Sequence, residues 1–156
     1  MISGDIIMAL KERLAEDLKS AMKDKNIVRK NTVQMIRAGI LQVEKDNKVT
    51  LEDDGIIDVI AKQLKQRKDV LPDYEKSGRD DLIAELKAEM DVLMEYLPKQ
   101  LTAEEIEEAV AEAIKSTSAS SMKDMGRIMA EVMPKVKGRA DGRMINEAAK
   151  KLLSQC

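Results

Sequence analysis

Residues 82–98 read LIAELKAEMDVLMEYLP, and in them Leu82, Leu86, Met90, Leu93 and Leu97 recur at spacings of three and four until Pro98. That period puts the five side chains on one face of an α-helix. Proline, which has no amide hydrogen to donate, ends it. It is the longest clean stripe in the chain, and it sets the expectation for the rest.

Upstream, Ile7, Leu10, Leu14, Leu18 and Ala21 keep the same period, predicting a first helix over about 5–23. Asn26 is placed to cap a second helix whose stripe is Val33, Ile36, Ile40 and Val43, with Gly39 on its flank where a neighbour can come close. The polar stretch Lys45 to Lys48 ends it. Thr50 and Asp53 have capping-box spacing for a third helix carrying Ile57, Ile60, Leu64 and Leu71. Pro72 predicts a kink or restart there, and Ser77-Gly78 a stop.

Downstream, Thr102 with Glu105 is a capping box for a helix bearing Ile106, Val110 and Ile114, which the run Ser116 to Ser120 breaks. Ser121 with Asp124 restarts the pattern, with Met122, Met125, Met129 and Val132 expected inward until Met133-Pro134. The loop Lys135 to Ala140 then leads to Asp141, the expected cap of a last helix carrying Ile145, Ala148 and Leu152. The expected architecture is all-α: seven helices, no strand, no repeat of fixed period. Leu97-Pro98 is the expected boundary between an N-terminal helical domain, 1–97, and a small C-terminal helical domain, 98–156.

The composition narrows the chemistry. Among 156 residues there is no His, Phe or Trp, two Tyr, eleven Met, and one Cys, at position 156. Without His the commonest general base, the commonest transition-metal ligand and the Ser/His and Cys/His nucleophilic pairs are gone. One thiol excludes internal disulfides and cysteine-rich metal sites and suits a reducing compartment. No cofactor or metal is expected. No apolar core of a signal peptide precedes Lys11, and no run approaches a membrane span, so a cytoplasmic location and no membrane partner are expected.

Net charge is -2, but it is unevenly spread. Residues 73–112 carry four basic and thirteen acidic groups, net -9, whereas residues 113–156 carry nine and four, net +5. The acids Glu104, Glu105, Glu107, Glu108 and Glu112 open an amphipathic helix, where its dipole favours them, and read as a solvated face rather than a catalytic pair. Among the cations, Arg143, Glu147 and Lys151 form an ordinary helix ladder, as do Arg127 and Glu131. Lys123 and Arg127 are like charges one turn apart, unfavourable unless an anion is met there. Lys135, Lys137 and Arg139 sit in a loop that needs no cation, and Gly138 lets that chain approach a phosphate backbone closely. The same cations also serve as a solubilising surface loop, and residue type alone leaves both readings open. Without an aromatic side chain in this basic segment to stack on, single-strand base reading is disfavoured.

Three stretches then become recognisable: Tyr96-Leu97-Pro98-Lys99-Gln100-Leu101, Ala119 to Gly126, and Met133-Pro134-Lys135-Val136-Lys137-Gly138-Arg139-Ala140-Asp141-Gly142. Together with Gln66-Arg67 and Gly78-Arg79-Asp80-Asp81-Leu82 they resemble the GatB/YqeY family, in its free-standing YqeY-like form. The resemblance implies an N-terminal helical domain followed by a small three-helix domain. It also implies kinship with the tail of the GatB component of the tRNA-dependent amidotransferase, which helps to hold tRNA. The motif covers Lys123, Lys135, Lys137, Gly138, Arg139 and Asp141. Ser118 and Ala130 depart from it where glycine is expected, and Pro72 falls where relatives continue a helix.

The leading expectation is therefore a non-catalytic, tRNA-directed RNA-binding accessory module using Lys123, Arg127, Lys135, Lys137, Gly138, Arg139 and Arg143. A helical protein-protein adaptor, with a protein partner for the Met-rich helices and acidic segment, is the alternative. A carbon-nitrogen ligase with glutamine as amido donor follows only from the family relationship, since no nucleophile or phosphate-binding loop is apparent.

Overall fold

The computed structural model describes residues 9–155, so the expected helix start near Asp5, the stripe residue Ile7 and Cys156 lie outside the described residues. Among the described residues are seven α-helices and no strand: α1 (Leu10–Lys23), α2 (Ile27–Asn47), α3 (Asp53–Ser77), α4 (Asp80–Tyr96), α5 (Ala103–Thr117), α6 (Met125–Val132) and α7 (Gly142–Leu153). They pack as two compact units, Met1–Leu97 and Pro98–Cys156, each with its own hydrophobic cluster.

In the first unit Leu14, Ile36, Ile60 and Leu93, one from each helix, are fully buried at the centre. The stripe of α4 is broader than its leucines suggest, because Val92 and Tyr96 are buried beside Leu86 and Leu93. On α3 the buried set is Ile56, Val59, Ile60, Leu64 and Arg67: Ile60 and Leu64 face inward as expected, whereas Ile57 and Leu71 are half-buried and the face extends to Ile56, Val59 and Arg67. Arg67 lies in this interface. Its Nη2 meets Glu89 Oε1 at 2.9 Å, and its Nη1 donates to the Gln63 carbonyl at 3.2 Å. Gly39 brings α2 close to α3: a Cβ there would stand 2.8 Å from Gln63 Nε2 and 3.0 Å from Val59 Cγ1.

Two local expectations fail for physical reasons. α3 runs unbroken through Pro72, with no restart. Pro72 is exposed, so water can reach the carbonyl one turn earlier that loses its donor. Thr50 does not cap α3 either: Glu52 is the N-cap residue, with no side-chain cap. Asp53 accepts instead from the Leu10 amide at 3.0 Å, joining α3 to the start of α1.

The second unit is built on Val110, Ile128, Val132, Ile145 and Ala149. Ile128 takes the central place on α6; Met125 and Met129 are partly buried, and Met122, expected inward, is 50% exposed. Asn26, Thr102 and Asp141 cap α2, α5 and α7 through their side chains. Ser118, after α5, has φ +56° in the left-handed region, and the Ala119 amide closes the helix end on the Ile114 carbonyl. Glycine is unstrained there. Ser118→Gly is accordingly expected to raise stability by about 0.5–1 kcal/mol, read from urea midpoints. Ala130, the other departure from glycine, is exposed, so no close approach depends on it.

Candidate nucleic-acid interface

Val136 is the anchor of the basic loop. It is 4% exposed, inserted in the second core, while Lys135 and Lys137 on either side of it are exposed. A 3₁₀ turn over Met133–Lys135 delivers the chain there, and the Arg139 amide then donates to the Val136 carbonyl at 2.8 Å. Gly138 makes this tight turn possible with φ +75°.

The loop is clamped to the segment that follows Pro98. Gln100 Nε2 donates to the Gly138 carbonyl at 2.7 Å and to the Pro98 carbonyl at 3.1 Å. The Leu101 amide donates to the Arg139 carbonyl at 2.9 Å, and Arg139 Nε to the Lys99 carbonyl at 3.0 Å. Pro98-Lys99-Gln100-Leu101 and Lys135 to Arg139, far apart in sequence, thus form one edge. Lys99, exposed on that edge, brings a fourth cation beside Lys135, Lys137 and Arg139. Read as sequence, Lys99-Gln100 marks a boundary and part of the family resemblance, with no role of its own. The signal it carries is a Gln inside a short Pro-containing linker, able to satisfy carbonyls.

The remaining candidates are placed differently. Lys123 is exposed in a 3₁₀ turn ahead of α6, twelve residues before Lys135, roughly 18 Å at 1.5 Å rise per residue. Arg127 Nη2 meets Asp124 Oδ1 at 2.6 Å, and Lys135 Nζ meets Glu131 Oε1 at 3.3 Å. The expected Arg127–Glu131 rung is thus replaced by an alternating row in which each cation has an acid beside it. Such surface pairs contribute little and are easily exchanged for another anion. Lys151 reaches across to Glu107 of α5 at 2.7 Å rather than along its own helix. Arg143 is exposed in the first turn of α7, two residues after the capping Asp141, and both it and Lys137 have interaction partners.

Asp141 accepts from the Met144 amide at 3.0 Å, so the α7 N-terminus already holds a carboxylate. At the start of α5, Glu105 completes the Thr102 capping box. The Thr102 amide holds the Glu105 carboxyl below its ordinary 4.5, with Lys99 and Arg139 adding to the effect. The amide of Ser120, then Arg127 and the Ser121 amide, hold Asp124 below its ordinary 3.8. Both carboxyls bind protons more weakly folded than unfolded, so their stabilisation is complete above about pH 5 and is lost as pH falls through the folded values. The second unit's urea midpoint is expected to drop as pH falls below about 5, and less steeply in Glu105→Gln with Asp124→Asn.

The other acids of α5 behave as a helix face: Glu104, Glu108 and Glu112 are exposed. Among the described residues no group of three His, Cys, Asp or Glu is arranged to hold a metal ion, and no helix is long and apolar enough to cross a membrane.

The family model for Yqey-like protein matches residues 11–153, across both units and the whole basic edge. The chain belongs to the YqeY-like family. Among curated proteins it is similar to "Altered inheritance of mitochondria protein 41, mitochondrial" of Pyrenophora tritici-repentis, 33% identical over 76 residues, 49% of this chain and 42% of the relative. The protein of that name in Kluyveromyces lactis is 38% identical over 71 residues, covering 45% of this chain and 38% of the relative. That of Vanderwaltozyma polyspora is 37% identical over 70 residues, 44% and 38%. The matches span about two fifths of these relatives' length.

These names correct one expectation. A cytoplasmic location is the expectation from the sequence, yet all three relatives are named as mitochondrial proteins. Mitochondrial leaders are amphipathic and Arg-rich with no apolar core of the secretory kind, so looking for one tests only the secretory route. Neither the family description nor these names specify a reaction.

Proposed function

We propose that this YqeY-like protein is a non-catalytic RNA-binding accessory module, directed at tRNA, whose contact surface is the basic edge of residues 98–101 and 135–139. The observation that carries this reading is the Gln100 clamp: its bonds to the Gly138 and Pro98 carbonyls hold two cationic segments in fixed register. Four cations on a rigid edge meet a phosphate backbone without the entropy of ordering a free loop. With neither His nor Phe nor Trp to stack on, the edge reads shape and phosphates rather than bases. The likeness to the tRNA-holding tail of the amidotransferase's GatB component supports tRNA among RNAs.

Lys137, Arg139 and Lys99 are the central contacts in this reading. Lys135, Arg127 and Arg143 extend it, the first two by exchanging their acid partners for phosphate. Lys123 stands farther off and marks a second contact along the same strand.

Filter binding of unfractionated tRNA to the wild type and to the Lys135→Ala, Lys137→Ala, Arg139→Ala triple variant tests the proposal. At least tenfold weaker binding by the variant is expected; equal binding contradicts it. A stoichiometric protein partner that survives nuclease would favour an adaptor instead. Ammonia release from glutamine by the purified protein would contradict the non-catalytic reading.

A further inference from the structure

The first unit carries a second cationic surface, this one interleaved with exposed apolar side chains. α1 and α2 form a hairpin through the turn at Asp24, and along it lie two open depressions. One, about 330 Å³, is lined by Met22, Lys25, Ile27 and Lys30 among others; a second, about 220 Å³, includes Arg37, Leu41, Lys11 and Glu44. Ile27, Lys30, Arg37 and Leu41 keep to one face of α2, at separations of three, seven and four. Met22, Ile27 and Leu41 are 57%, 64% and 66% exposed, although each is large and apolar. From Ile27 to Leu41 the face is about 21 Å long, four turns of helix.

Its charge is one-sided. Lys25, Lys30 and Arg37 flank the apolar positions, and Glu44 is the one acid among the residues lining the two depressions. That carboxylate is committed: it accepts from Lys11 Nζ and from the Leu51 amide, at 2.7 Å for the latter, and is held below its ordinary value by both. Among the described residues that line the two depressions, the face therefore offers apolar anchors between cations, and its one acid is already engaged; Asp24, exposed in the turn, lies outside both linings.

We infer that the α1–α2 face docks an acidic amphipathic helix of a partner protein, about four turns long. Its apolar side chains enter the two depressions and its carboxylates meet Lys25, Lys30 and Arg37. A helix laid along a two-helix groove is a common mode of recognition, with anchors recurring at three and four residues. This surface lies wholly within the first unit and needs none of the cations assigned to RNA.

The test uses the full chain and a fluorescein-labelled 16-residue amphipathic peptide with Leu at helical spacing and Glu on the flanks. A Lys-for-Glu peptide and a scrambled acidic peptide are the controls, and anisotropy is the readout. Saturable binding of the acidic peptide is expected, weakened at least tenfold by Leu41→Glu or Ile27→Glu. Binding should pass to the Lys peptide in the Lys30→Glu, Arg37→Glu double variant. The altered residues are on the surface, and circular dichroism verifies that each variant is folded. No saturable binding, equal binding of the scrambled peptide, or indifference to Leu41→Glu overturns the inference. So does self-association abolished by Leu41→Glu, which assigns the face to a second copy, or loss of tRNA affinity in the double variant, which assigns it to nucleic acid. Lys137→Ala should leave peptide binding unchanged.

Discussion

Arg67→Met is expected to cost about 3 kcal/mol, a large loss for a single change in the first unit. Arg67 is 7% exposed, and its guanidinium meets Glu89, the Gln63 carbonyl and Met35 Sδ at 3.5 Å. Removing it strands the Glu89 carboxylate, whose side chain is only 23% exposed, at the α3–α4 interface. The cost is that of an unpaired charge, not the net strength of the pair, so adding Glu89→Leu to Arg67→Met should recover most of the loss. Urea unfolding and hydrogen exchange at α3 amides read both variants. A double variant no more stable than the single one would show that packing, rather than charge, holds this interface.

Gly138→Val should damage the second unit in a way that also reaches function. At φ +75° a β-branched side chain is strained, at about 1–2 kcal/mol or more. Relief requires the turn to move, which pulls the Gly138 carbonyl from Gln100 and the Arg139 carbonyl from the Leu101 amide. The expected result is a melting temperature lower by roughly 5–10 °C together with tRNA binding at least tenfold weaker, although no charge has changed. Gly138→Ala should be milder in both. If Gly138→Val binds tRNA as the wild type does, the cations act independently of the clamp and the edge has no preorganised geometry.

The parts of the structure that are legible in the sequence are those whose physics is local. Asn26, the Thr102–Glu105 box, Ser121 with Asp124, and Asp141 each satisfy amides within three residues, so spacing alone reveals them. Helical stripes are equally local. Asp53 looks like part of the same grammar, but its acceptor oxygen serves Leu10, 43 residues away. Arg67 stands in the sequence only as part of a motif, and its role appears when α4 supplies Glu89. Likewise, Met122 fits the apolar pattern of α6, yet the central place goes to Ile128, whose branched side chain fills the core between α5 and α7.

The same division runs through the basic edge. Lys135, Lys137 and Arg139 are visible because a loop without helical duties carries three cations. Lys99 and Gln100 are not, because their significance lies in bonds to Gly138 and Arg139 some 38 to 40 residues later. Tyr96, in the same motif, serves the first core: its hydroxyl donates to Asp17, and Arg13 lies 4.6 Å above its ring. Burial and the Asp17 carboxylate push its hydroxyl pKa up, so it stays a donor across the physiological range.

The most direct measurement is the salt dependence of tRNA affinity for the wild type and for the Lys99→Ala, Lys137→Ala, Arg139→Ala variant. Each phosphate contact contributes about 0.7–0.9 to the slope of log affinity against log salt concentration, so three lost contacts should lower it by about 2 to 3. A slope reduced by that amount, in a variant whose circular dichroism is unchanged, is the predicted result. An unchanged slope would contradict the assignment of this edge to RNA.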